Sequence, residues 1–146
     1  MRMMIIRNLI EFPIPRKDIV LIYCQYIRTI LEFNSSVWFA SITEEEKVDL
    51  ERIQKNVCKL ILKNEYTTYK EALKTLELEC LNERRYRLAK KFGEGCVKLD
   101  EMRDLFPKAE RSEHDLRKNN KYQVKFASTA RLYNSAVPTL QRMLNS

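Results

Sequence analysis

Glycine is almost missing from this chain of 146 residues: it occurs twice, at 93 and 95, beside four prolines. All-β sandwiches, collagen-like chains and Gly-rich linkers need more of both, so those classes are excluded. Phosphate-cradling loops are excluded as well, because GxxxxGK and GxGxxG place glycines around a strand–helix turn. Histidine occurs once, as His114 in the polar stretch Ser112-Glu113-His114-Asp115. That stretch reads as a surface loop and supports neither a Ser-His-Asp arrangement nor a Cys/His nucleophile pair.

Cys24, Cys58, Cys80 and Cys96 are separated by 34, 22 and 16 residues, so the short CxxC pairs of a structural zinc site are lacking. Buried reduced thiols are favoured over disulfides, and disulfides over metal ligation, since all four cysteines stand in or beside apolar positions. A reducing compartment, nucleus or cytoplasm, suits them. Long hydrophobic runs are lacking too. The longest, Ile19 to Ile27, is nine residues, against about 20 for a membrane span. Met3 to Ile6 is too short for a secretory h-region. The expectation is a soluble intracellular protein with no membrane partner, metal or cofactor.

What remains is rich in core and in charge. Hydrophobic residues make up 45% and charged residues 32%, enough apolar material for one domain of ordinary size. The net charge is +7, which favours anionic partners. Its distribution is uneven: residues 107–146 carry eight basic groups against three acids, a surplus of five, whereas 43–106 carry fourteen of each.

Helical periodicity dominates up to about residue 105. Met3, Ile6 and Ile10 mark a short apolar stripe that Pro13 and Pro15 end. Asp18 is placed to cap a second helix. There Ile19, Ile22, Tyr23, Tyr26, Ile27, Ile30 and Leu31 repeat at helical spacing and predict the centre of the core. Thr43-Glu44-Glu45-Glu46 is a capping box, which accounts for the three acids without a metal ion. The helix it opens runs to about Asn64, with Leu50, Ile53, Val57, Leu60 and Ile61 on one face. Thr67 or Thr68 caps a short helix with Ala72, Leu73 and Leu76 inward. Asn82 caps the next, where Leu88, Ala89, Phe92, Cys96 and Leu99 repeat and the two glycines predict an early stop. A turn of helix precedes Pro107. Tyr122 to Phe126 alternates as a short strand or extended arm, and a last helix starts near Pro138. The expected fold is all-α: a small bundle of about five helices over 1–106, with a basic, partly extended C-terminal extension over 107–146.

Nothing in this pattern is catalytic, but one segment is suited to binding. Residues 84–91 hold Arg84, Arg85, Arg87, Lys90 and Lys91 with no acid. Arg84, Arg87 and Lys91 share a helix face, flanked by Arg85 and Lys90. Such a strip can lie along a phosphate backbone. Equally it is a solvated face whose arginines pair with Glu79, Glu83 or Glu94, and charge alone favours this second reading. Trp38, Phe39 and the tyrosines at 66, 69, 86, 122 and 133 could stack on bases, although aromatics at helical spacing are more often core.

One resemblance extends over about 120 residues. Tyr23, Tyr26-Ile27-Arg28, Leu31-Glu32-Phe33, Val37-Trp38, Ile42-Thr43 and Glu51-Arg52-Ile53-Gln54-Lys55 stand in order. Tyr69, Ala72-Leu73, Leu76-Glu77-Leu78, Leu81, Arg84-Arg85 and Phe92 follow, then Leu105-Phe106-Pro107 and Ser135-Ala136-Val137-Pro138 through Leu144-Asn145. This series resembles the thumb and following region of the reverse transcriptases of non-LTR (LINE-type, jockey-like) retrotransposons. The chain departs from the pattern at Thr29, Phe33, Ser36 and Asn56-Val57-Cys58. It also has no Asp-Asp pair, whereas the family's polymerase holds two metal ions on a Y/F-x-D-D motif and an upstream aspartate. The resemblance implies fingers and palm preceding Met1, and for this chain a grip on RNA or DNA duplex without chemistry of its own. By position it implies contacts from Arg28, Gln54, Lys55, Lys59, Arg84 and Arg85, with Tyr26 and Trp38 as packing residues. A stand-alone helical nucleic-acid-binding protein and a protein-interaction module are the alternatives. The last should show an exposed apolar face on the second helix or at Trp38-Phe39.

Overall fold

Residues 2–109 and 120–146 are described in a computed structural model; His114 and its loop lie outside them. The fold is all-α, with six α-helices of seven residues or more and no strand among the described residues. In chain order the helices are α1 (Arg2–Leu9), α2 (Arg16–Tyr23), α3 (Thr29–Leu31), α4 (Ser35–Trp38), α5 (Glu44–Leu62), α6 (Tyr69–Thr75), α7 (Leu81–Lys98), α8 (Ala130–Tyr133) and α9 (Ala136–Leu144). A π-helical turn (Cys24–Arg28) joins α2 to α3, and a 3-10 helix (Asp100–Leu105) follows α7.

The chain groups into two compact units: residues 1–33 with 43–84, and 34–42 with 85–146. Composition draws a line after Phe106, but tertiary contacts draw it within α7. The segment from Pro107 thus belongs with residues 85–106 in the second unit.

In the first unit, α5 packs against α1, α2 and α6. Its start is the capping box in full: Glu46 N–H donates to the Thr43 hydroxyl, and Thr43 N–H donates to the Glu46 carboxylate at 2.8 Å. Thr68 caps α6 with one half of that arrangement, its hydroxyl accepting from Glu71 N–H. The second helix begins two residues before Asp18, which therefore lies in the first turn rather than at the cap. No proline stands at 29, so the helix continues through Thr29, whose hydroxyl donates to the Gln25 carbonyl at 2.6 Å. Ile19, Tyr23 and Ile27 enter the core with Ile6, Val57, Cys58, Ile61, Leu62, Ala72, Leu76 and Leu78. Tyr26 and Ile30, expected in that core, are exposed. The stretch is apolar around most of its girth, and only one stripe of it meets α1 and α5.

After α6 the chain turns at Glu77, whose φ of 53° is left-handed. Leu78 N–H donates to the Leu73 carbonyl at 2.8 Å, closing a Schellman-type end. Glycine is the residue without a side-chain penalty there. Glu77→Gly is expected to stabilise the protein by about 1 kcal/mol, read as a higher urea midpoint at unchanged slope.

In the second unit, α7 runs through both glycines to Lys98 instead of stopping early. Gly93 has a packing reason: a Cβ there would stand 3.3 Å from Leu140 Cδ2 on α9. At Gly95 an added Cβ meets nothing within 4 Å. Gly95→Ala should therefore raise the melting temperature, by the equivalent of about 1 kcal/mol. Gly93→Ala should gain less, because Leu140 must move. The core here joins Ala89, Cys96, Phe106, Tyr122, Leu140 and Met143, with the Phe106 and Tyr122 rings edge to face, their centroids 6.2 Å apart.

Over 122–126, expected as a short strand or an extended arm, no strand forms; there is one isolated antiparallel bridge, Lys108 to Tyr122. Residues 107–109 pair with one edge of this segment, and on the other edge Gln141 of α9 and Asn145, just past its end and one turn on, take the place of a second strand. Asn145 Oδ1 accepts from Tyr122 N–H at 2.8 Å, and its Nδ2 donates to the Tyr122 carbonyl at 2.9 Å. Gln141 Oε1 accepts from Lys125 N–H at 3.2 Å, while its Nε2 donates to the Leu105 carbonyl at 2.7 Å.

Candidate nucleic-acid interface

The nine cationic or amide positions singled out in the sequence fall into three environments. The first is buried. Gln54 is fully enclosed: its Oε1 accepts from Tyr23 OH at 2.7 Å, and its Nε2 donates to Tyr69 OH at 3.0 Å and to the Glu79 carbonyl at 2.8 Å. Tyr69 OH donates in turn to Glu51, which also accepts from Leu81 N–H at the start of α7. Burial raises the pKa of both tyrosine hydroxyls, and for Tyr69 the Glu51 carboxylate adds to the effect. Gln54 thus ties α2, α5 and α6 together. Its place in a nucleic-acid contact, implied by the resemblance, is corrected by this enclosure. Arg85 is corrected likewise: it is buried, with its guanidinium carbon 5.9 Å from the centre of the Trp38 ring. Trp38 itself is half-buried. Tyr26, expected to pack, is 61% exposed.

A second group is paired with acid. Glu32 receives Arg84 at 2.7 Å and Arg28 at 3.9 Å, and Arg84 also reaches Glu79 at 3.3 Å. Burial works against the Arg84 charge, yet Glu32 and Glu79 raise its pKa above the ordinary value. The pairing reading of the basic segment holds for Arg84, with Glu32 as a partner that sequence spacing could not suggest. A guanidinium already held between two carboxylates has little left to offer a phosphate.

The third group faces solvent. On α5, Lys55 and Lys59 lie one turn apart and exposed, Lys59 with its ammonium 5.6 Å above the Tyr66 ring. On the second unit's part of α7, Arg87, Lys90, Lys91 and Lys98 share the solvent side, with Glu94 as the acid among them. Lys90 is half-buried and the other three are exposed. The opposite side carries Arg85, Ala89, Gly93 and Cys96, all buried. Lys90, Lys91 and Lys98 make no ion pair among the described residues.

Two residues were missed in the sequence. Lys98 continues the face of Lys91, but the glycines predicted that the helix would end before it. Lys121 is placed by the Asn145 clamp on Tyr122, a tertiary contact with no local signature.

The cysteines are free thiols, Cys58 and Cys96 buried and the others half-buried. Burial pushes Cys58 up to about 11 and raises the other three, so none is a ready nucleophile at neutral pH. Among the described residues no group of three His, Cys, Asp or Glu is placed to hold a metal ion, and no helix is long and apolar enough to cross a membrane.

Comparison with protein-family models, with curated proteins and with solved structures finds no match to this chain.

Proposed function

We propose that this chain is a helical domain that grips RNA or DNA through phosphate contacts and performs no catalysis, akin to the thumb region of a non-LTR retrotransposon reverse transcriptase. The observation that carries the reading is the solvent side of α7, where the four cations Arg87, Lys90, Lys91 and Lys98 stand with two acids, Glu83 and Glu94. A surplus of cations on one helix side is the electrostatic footprint of a phosphate-contacting surface. The ordered resemblance over about 120 residues supports the same reading, as does the net charge of +7. Lys55 and Lys59 add exposed cations to α5. The test is duplex and single-strand binding by the purified protein as salt is varied. Affinity that falls steeply with salt supports the reading, and absence of binding at low salt defeats it.

A second reading, a protein-interaction module, is favoured by one observation. Leu21, Tyr26, Ile30 and Phe33, along the second helix and its end, are exposed, Phe33 at 77%. Tight self-association that salt does not weaken, with no binding to RNA or DNA, would establish this reading in place of the first.

A further inference from the structure

We propose that a concavity of the second unit, lined by Lys90, Lys98 and Lys121, binds the terminal phosphomonoester of a nucleic-acid strand. The inference rests on the nucleic-acid reading and gives it a specific ligand.

The concavity holds about 440 Å³ and has Lys90, Glu94, Val97 and Lys98 of α7 on one side, and Lys121, Tyr122 and Leu144 on the other. That volume lies within the range of sites for small ligands, roughly 300–1,000 Å³. The three ammonium groups make no ion pair among the described residues; Lys121 lies 5.4 Å from the Tyr122 ring centre and is otherwise exposed. Three cations around one hollow repel each other unless an anion joins them.

Charge selects which anion. With Glu94 counted, the lining carries a surplus of two positive charges. An internal phosphodiester brings one negative charge, whereas a terminal phosphomonoester brings about 1.5 to 2 at neutral pH together with three acceptor oxygens. On the open side of α7 each cation can take its own phosphate along a strand. In the hollow three cations line one concavity, which suits a strand end. Val97, Tyr122 and Leu144 give apolar surface on which the end nucleotide's sugar or base can rest, while lysine acts as a mobile point charge at the phosphate.

The test uses one short single-stranded RNA in three forms, with a 5′-phosphate, with a 3′-phosphate and with hydroxyls at both ends, labelled away from the end under study. A phosphorylated end should bind about tenfold more tightly than a hydroxyl end at low salt, as expected for one to three added charge-assisted hydrogen bonds at a partly exposed site. Whichever end shows the preference identifies the polarity of the bound strand. In the variant Lys121→Glu, which leaves the lining with no net positive charge and the four cations of the α7 face in place, the preference should fall to about one, while hydroxyl-ended RNA keeps its native affinity. Equal affinity for all three forms in the native protein overturns the phosphate-end site and leaves the cationic face standing. Binding of a phosphorylated form alone upholds the site and removes the face. Binding of none removes both.

Discussion

Gln54→Ala is expected to cost about 4 kcal/mol, a large part of the 5–15 kcal/mol by which domains of this size are stable. The loss has three sources. Truncation opens a cavity at a position with no solvent exposure, where neighbours in α2, α5 and α6 cannot readily collapse. It removes the acceptor of Tyr23 OH and both donated bonds, to Tyr69 OH and to the Glu79 carbonyl. It leaves the Tyr23 hydroxyl without its acceptor inside a low-dielectric interior, at about 1–3 kcal/mol for a group left unsatisfied. Urea unfolding followed by circular dichroism measures the effect. The neighbouring Lys55→Ala, at an exposed position, should change stability by less than about 0.5 kcal/mol. Similar midpoints for the two variants would mean that the tyrosine–glutamine chain does not hold the first unit together.

The second large effect concerns binding. Changing Arg87, Lys90, Lys91 and Lys98 together to Gln should reduce RNA or DNA affinity by on the order of 100-fold at 50 mM salt. Four phosphate contacts give a slope of log affinity against log salt of about −3.6, and the variant should lose nearly all of it. Glutamine keeps the helix, because its propensity is close to those of lysine and arginine, and the solvent side of α7 takes no part in the core. The variant should therefore melt as the native protein does, which separates a binding loss from a folding loss. A native slope near zero, or unchanged affinity in the variant, would move the contact to Lys55 and Lys59 or to the cations beyond Lys121. Arg84 and Arg85 are left unchanged on purpose, since one is held by Glu32 and Glu79 and the other is buried.

Sequence alone determined much of the helical framework, because the signals are local. A threonine cap with glutamate three residues later satisfies backbone N–H groups within a single turn, so the starts of α5 and α6 were legible directly. The core positions Ile19, Tyr23, Ile27, Val57 and Ile61 followed from spacing. Where an end is set by a distant partner, legibility failed. The continuation of α7 past two glycines depends on α9 packing over Gly93, and its start depends on Glu51 meeting Leu81 N–H from 30 residues away. The arm after Lys121 is held by Asn145 and Gln141 of α9, so its alternating pattern could not say whether a strand would form.

The candidate site divides along the same line. Composition established that cations are in surplus and that residues 84–91 concentrate them. Which of those cations are available is a tertiary matter. A guanidinium on a helix reaches several ångströms to either side, and whether it meets Glu32, the Trp38 ring or water depends on what packs beside it. Neighbouring arginines, 84 and 85, read alike in sequence and differ in structure: one turns to two carboxylates and the other into the interior. Lys98 and Lys121, remote in sequence, line one hollow because α7 continues and Asn145, just past α9, clamps Tyr122. Hydrophobic spacing specifies helices one at a time; burial and ion pairing arise only where the helices meet, and that decided which charges are left for a phosphate.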